Sequence, residues 1–184
     1  SPLSMELRSL HFRQQKFFLI GAVAILLYNK YNKPYFVVTQ RNEYDGAHSG
    51  QISFPGGKYE ISDQDTKQTA LREVEEEIGV SQKSVEIIAE LTELYIPPSN
   101  FLVHPYVGLI KDKIFFVKDD FEVKEIIEVP VDTLLESQFI QKPLAELSSS
   151  NYKSSNCPCF EFDGKFIWGA TAMILNELRY ILLE

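Results

Sequence analysis

"FPGGKYEISDQDTKQTALREVEEEIGV", Phe54 to Val80, runs from a glycine pair into a segment of helical periodicity. The spacing predicts a helix over Thr66–Ile78, and four glutamates (Glu73, Glu75, Glu76 and Glu77) crowd its last turns. Glu73 repels Glu76 and Glu77, three and four residues on, by roughly 0.2–0.5 kcal/mol per pair, at a helix end that is itself a negative pole. At 100° per residue, with Glu73 at zero, Glu76 falls at about 300° and Glu77 at about 40°. Ala70, Leu71, Val74 and Ile78 cluster at about 60–160°. The helix therefore carries an apolar stripe with a carboxylate strip beside it. Glu75, at about 200°, points away to solvent.

Something must offset this charge. The preceding Gly56-Gly57 lets the backbone approach another group closely and turns a carbonyl toward the carboxylates. Oxygen-only ligands of this kind suit Mg²⁺ or Mn²⁺, hard cations that retain water and bridge phosphate oxygens. The whole chain has a formal net charge of −8, which offers no global attraction to nucleic acid or an anionic membrane. A polyanionic substrate would then need a local cationic device, and a bound metal supplies one.

The chain has 184 residues, 45% apolar and 12% aromatic, enough for one domain with a substantial core. The opening "SPLSM" lacks an initial Met and reads as an expression scar. Residues 1–16 are taken as an N-terminal extension and 17–184 as the folded domain. The apolar run Phe17–Tyr28 is too short for a membrane span and reads as a buried strand. Cys157 and Cys159 are too few for a disulfide framework or a zinc site; as free thiols they point to a reducing, cytoplasmic address. The oligomeric state is left open, a homodimer included.

Strand-like segments at Phe17–Tyr28, Tyr35–Thr39 and Gln51–Phe54 precede the helix. Val85–Tyr95 and Phe101–Lys111 follow it, and Phe115–Val129 reads as two further short strands. "VPVDTLLES" suggests a strand running into a short helix. "LSSSNYKSSN" reads as a loop, "CFEFDGKFIW" as a hairpin turning at Asp163-Gly164, and Thr171–Leu183 as a closing helix. The alternation predicts a mixed α/β domain in layers.

Gly57, Arg72, Glu73, Val74, Glu76, Glu77, Gly79 and Val80 resemble the Nudix box, G-x5-E-x7-R-E-U-x-E-E-x-G-U with U aliphatic. The departure lies in its middle: Asp63 stands where the first glutamate would be, and one extra residue separates it from Arg72. Upstream, "TQRNEYDGAHSGQISFPGG", Thr39 to Gly57, resembles the signature of coenzyme A diphosphatases, roughly T-x-R-S-x3-R-x-H-x-G-x3-F-P-G-G. Asn42 replaces its serine and Gly46 its second arginine. "PPSNFLVHPYVG" and "IWGATAMIL" look like the same branch, so the resemblance spans about Gly21 to Leu175.

The resemblance implies an α/β/α sandwich with a Nudix-type mixed sheet. It also implies metal-dependent hydrolysis of the diphosphate of coenzyme A or its derivatives to 4′-phosphopantetheine and adenosine 3′,5′-bisphosphate. Carried over residue by residue, it makes Glu73, Glu76 and Glu77 metal ligands for Mg²⁺ or Mn²⁺, with the Gly57 carbonyl as a further one. Arg72 would orient a box glutamate within the catalytic group. Arg41, His48 and Lys58 are the candidate substrate contacts. The catalytic base is a box glutamate or an acid from outside, Glu122 or Glu125. The partner expected is a nucleotide-like small molecule, with neither nucleic acid nor membrane. Two alternatives stay open: a Nudix hydrolase of another nucleoside diphosphate derivative such as ADP-ribose, and a noncatalytic Nudix-like binding module.

Overall fold

A computed structural model describes residues 17–43, 50–147 and 155–184. Strand β1 (Leu19–Lys30) is its axis, and its side chains alternate between two cores. Ala22, Ala24, Leu26 and Tyr28 face one layer, while Ile25 faces the other with Val23 and Leu27 beside it. A tight turn through Tyr31 and Asn32, both at positive φ, returns the chain as β2 (Lys33–Arg41).

The two strands pair only over Leu27–Lys30 and Lys33–Phe36, then part. The segment Ile52–Lys58 fills the gap. Its first half, β3 (Ile52–Ser53), pairs with Thr39 and Gln40 of β2, and its second, β4 (Gly56–Lys58), pairs with Gly21–Val23 of β1. The expected strand at Gln51–Phe54 is therefore shorter, and the glycine pair itself is a strand. Only glycine fits at position 56, because a Cβ there would lie 2.3 Å from the Ala22 carbonyl oxygen.

Helix α1 (Thr66–Ile78) follows, capped by the Asp65 side chain, which accepts from the Gln68 N–H at 2.7 Å. It ends at Gly79, whose φ of 70° favours glycine. Ala70, Val74 and Ile78 are fully buried against β1. Burial of a side chain such as Val74 or Ile78 contributes about 1.5–3 kcal/mol, so a charge at Val74 would detach the helix.

The stretch Val85–Tyr95 splits into β5 (Val85–Glu90) and β6 (Leu94–Ile96), both antiparallel to β7 (Phe101–Ile110). Strand β7 runs parallel to β1 along its whole length, which makes the sheet mixed. Instead of two strands within Phe115–Val129 there is one, β8 (Val123–Pro130), on the outer edge of β2. Residues 112–122 take no ladder because their donors are spent elsewhere: Val117 N–H bonds the Ile78 carbonyl at 3.0 Å, and Asp119 N–H bonds that of Glu77 at 2.9 Å. These are carbonyls that a helix end leaves unpaired.

Helices α2 (Val131–Glu136) and α3 (Leu144–Leu147) flank β9 (Ile140–Pro143), a strand without a sequence signal. It joins β10 (Asn156–Phe162) and β11 (Lys165–Trp168) in a second, three-stranded sheet, whose hairpin turns at Asp163-Gly164 as expected. Helix α4 (Gly169–Leu183) closes the chain. Leu134 of α2, Phe160 of β10 and Leu175 of α4 pack on the face of the main sheet opposite α1. The α/β/α layering expected from the sequence is the architecture observed. Among the described residues, no helix is long and apolar enough to cross a membrane.

Candidate active site

The gap between β1 and β2 decides where the charged groups meet. Strand β4 lies beneath α1, and the two glycines let the helix come close: a Cβ on Gly57 would sit 2.3 Å from Oε1 of Glu73. Glu73 and Glu77, one turn apart, thus point down toward β4 and are only 9% and 5% exposed. The Gly56 N–H donates to the Glu77 carboxylate. Across the gap, the turn before β8 brings in Glu122. One carboxylate oxygen from each of Glu73, Glu77 and Glu122 lies within 4.8 Å of the others.

Such proximity disfavours three charges. Burial pushes the Glu77 carboxyl up to about 8, helped by Glu73 and Glu122 and opposed by Arg41 and the Gly56 N–H. Burial also raises Glu73, against the pull of Arg72. A divalent cation with hard oxygen preferences matches this donor set, because it would replace mutual repulsion with shared attraction.

Arg72 is committed to structure rather than left for a ligand. Its Nε and Nη2 grip Asp63 at 2.9 and 3.1 Å, Nη2 also reaches the Lys58 carbonyl at 3.0 Å, and Nη1 bonds Glu73 Oε1 at 2.9 Å and Glu76 Oε2 at 3.3 Å. Asp63 accepts two more bonds, from the Glu60 N–H and the Thr69 hydroxyl. Those contacts, the Arg72 guanidinium first, hold its carboxyl down at about 2. An aspartate with one extra intervening residue therefore still reaches the arginine, and the Asp63 departure leaves this link intact.

The other predicted residues divide. Glu76 is exposed and lies outside the three-carboxylate group, touching Arg72 instead. The Gly57 carbonyl lies against Gly21 of β1. Lys58 contributes its carbonyl to Arg72, and the residue is exposed. Arg41 closes β2 opposite Val123, and its charge acts on Glu77. Glu125 instead pairs with Lys165 of β11 at 2.6 Å. His48 and Gly46 lie outside the described residues, as do residues 1–16 and most of the loop before β10. Asp63 and Asn42 enter the architecture without having been singled out for roles, since their contacts depend on chain segments brought together only by folding.

The chain matches the NUDIX domain family model over residues 19–148. Nudix hydrolase NudL of Yersinia enterocolitica is 33% identical over 149 residues, covering 79% of this chain and 73% of that protein. NudL of Yersinia pestis is 32% identical over 146 residues, with 79% and 71% covered. Among solved structures, a C. elegans Ap4A hydrolase binary complex superposes with a TM-score of 0.57 at 12% identity, over 90% of this chain and 98% of that one. The NUDIX domain of Shewanella oneidensis NrtR, complexed with ADP ribose, gives 0.53 at 18% identity, over 67% and 80%. Those two likenesses speak for the fold. The domain match and the bacterial relatives go further, and by them this protein belongs to the Nudix family, as a hydrolase of nucleoside diphosphate derivatives.

Proposed function

We propose that the enzyme cleaves the diphosphate of coenzyme A or a derivative, yielding 4′-phosphopantetheine and adenosine 3′,5′-bisphosphate. The observation that carries this reading is the Thr39–Gly57 segment. It resembles the coenzyme A diphosphatase signature, and its ends, Arg41 and Gly56-Gly57, both lie at the carboxylate site. Domain 17–184 would act as one unit, with residues 1–16 as an extension, and the two free thiols support a cytoplasmic setting.

Glu73, Glu77 and Glu122 would hold Mg²⁺ or Mn²⁺, with Glu76 and the Gly57 carbonyl as further candidate ligands. When bound, such an ion neutralises diphosphate oxygens and lowers the pKa of an attacking water. The chain's own residues do the rest. Arg41 pairs with a phosphate oxygen, Lys58 and His48 are further candidate substrate contacts, and Arg72 fixes Glu73 in place. Glu122, exposed at the rim, is the base that takes the proton as the water oxygen bonds phosphorus and the bridging P–O bond breaks.

A second reading, ADP-ribose as substrate, stays open because Gly46, which stands where the signature carries an arginine, weakens the signature's argument against it. Comparing kcat/KM for coenzyme A, dephosphorylated coenzyme A and ADP-ribose, with products identified by mass, separates the two. The 3′-phosphate should give coenzyme A the advantage over both competitors. A clear preference for ADP-ribose would overturn the assignment and leave the family membership untouched.

A further inference from the structure

The turn that carries Glu122 is exposed up to Val123, the buried residue that opens β8. Phe121 is 94% exposed, and Asp120 and Glu122 also face solvent. Within the turn, Asp119 accepts from the N–H groups of Phe121 and Val123, and Lys118 pairs with Asp120. These bonds shape the turn. Besides the pairing of Val123 with Arg41 in the β2–β8 ladder, two tethers from outside attach it to the site. One is the bond from Asp119 N–H to the Glu77 carbonyl. The other is Asn42, the residue just past the end of β2.

Asn42 engages three successive carbonyls. Its side-chain Nδ2 donates to Asp120 at 2.8 Å and to Phe121 at 2.7 Å, and its backbone N–H donates to Glu122 at 3.0 Å. Both amide hydrogens are thus used, and two carbonyl partners fix which way the amide faces. A serine, which the resembled signature carries here, has a single hydroxyl hydrogen and cannot donate to both carbonyls. We propose that Asn42 is a positioning residue: it clamps the 120–122 turn to the end of β2 and so holds the Glu122 carboxylate within reach of Glu73 and Glu77. This rests on Glu122 belonging to the cation site.

The test measures Mn²⁺ binding by titration calorimetry on the full chain, alongside the Mg²⁺ concentration that half-activates hydrolysis. Asn42→Ala should weaken both by about tenfold, the lower end of what loss of a ligand-orienting contact does. Asn42→Ser should fall between Asn42→Ala and wild type. In a Glu122→Gln background, Asn42→Ala should add nothing further, because the carboxylate it positions is already gone. Melting curves check that each variant is folded, and Asn42→Ser carries the comparison if Asn42→Ala is not. Wild-type Mn²⁺ affinity in folded Asn42 variants, with Glu122→Gln impaired, overturns the clamp alone. Undiminished affinity and turnover in Glu122→Gln would remove Glu122 from the site and the clamp with it. Equal losses from Asn42→Ala in both backgrounds would make Asn42 a purely structural residue.

Discussion

Asp63 and Arg72 meet side by side, Oδ1 to Nε at 2.9 Å and Oδ2 to Nη2 at 3.1 Å, with the Asp63 side chain almost wholly out of water. Two parallel charge-assisted bonds of this kind fix a guanidinium plane as well as a charge. The plane matters because the remaining nitrogen, Nη1, is what reaches Glu73.

Asp63→Asn should therefore lower stability and disturb the site together. With the Asp63 carboxyl held at about 2 against an ordinary value near 3.8, linkage gives about 2 kcal/mol of stabilisation at neutral pH. The sign follows from a depressed pKa: the contribution is complete above about pH 4 and fades as pH falls through about 2. Urea denaturation of wild type and Asp63→Asn should show a constant gap from pH 7 to 5 that narrows toward pH 2.5. A gap that stays constant to pH 2.5 would mean that the aspartate charge is not its source.

Substitutions at the two neighbouring glycines should fail in different ways. A Cβ on Gly57 meets the Glu73 carboxylate, whereas one on Gly56 meets the Ala22 carbonyl and the Val23 backbone of the central strand. Gly57→Ala should fold and lose turnover by at least about tenfold, a change of roughly 1.4 kcal/mol in the barrier. Gly56→Ala should mainly lower the melting temperature or the yield of folded protein. Melting curves and steady-state rates on both variants check the contrast; equal losses of stability would refute it.

Removing one carboxylate should separate stability from activity. Glu77→Gln removes a carboxyl whose charged form is disfavoured first by burial and then by Glu73 and Glu122, so the metal-free protein should melt no lower than wild type. Turnover should nonetheless drop by at least about a hundredfold, roughly 2.7 kcal/mol of transition-state stabilisation. Glu76→Gln, at an exposed position, should leave melting unchanged, and its turnover reports whether Glu76 joins the site during catalysis. Undiminished activity in Glu77→Gln would place the reaction elsewhere.

Exhaustive chelation should abolish hydrolysis, and Mg²⁺ or Mn²⁺ should restore it. The same ions should raise the melting temperature, since a ligand at about 100 times its dissociation constant adds about 2.7 kcal/mol to the folded state. Full activity after chelation would exclude the proposed role of the carboxylates.

The helix and two of the three converging glutamates were legible because one segment encodes them: periodicity places Glu73 and Glu77 on adjoining lines of a single helix, and glycines mark the close approach. Glu76 has the same local credentials, yet it lies on the open side, a distinction that depends on where β4 runs. Glu122 could be named only as an outside acid, equal to Glu125, because what separates them is a turn anchored to residues about 40 and 80 positions earlier in the chain. Strand composition in the first part of Phe115–Val129 was overridden by the helix end, which claims the backbone donors of Val117 and Asp119. Strand β9, four residues with a proline, carries too little pattern to be read without its partner β10.

The contact between residues 112–122 and the end of α1 also couples two events that would otherwise be separate. The bonds from Val117 and Asp119 finish the helix, and the same short connection delivers the third carboxylate. A chain in which this connection has not docked would lack these two bonds to the helix end and, at the proposed cation site, one of the three carboxylates. At the proposed site, cation capture would then come late in maturation, in molecules whose remote segments have already come together.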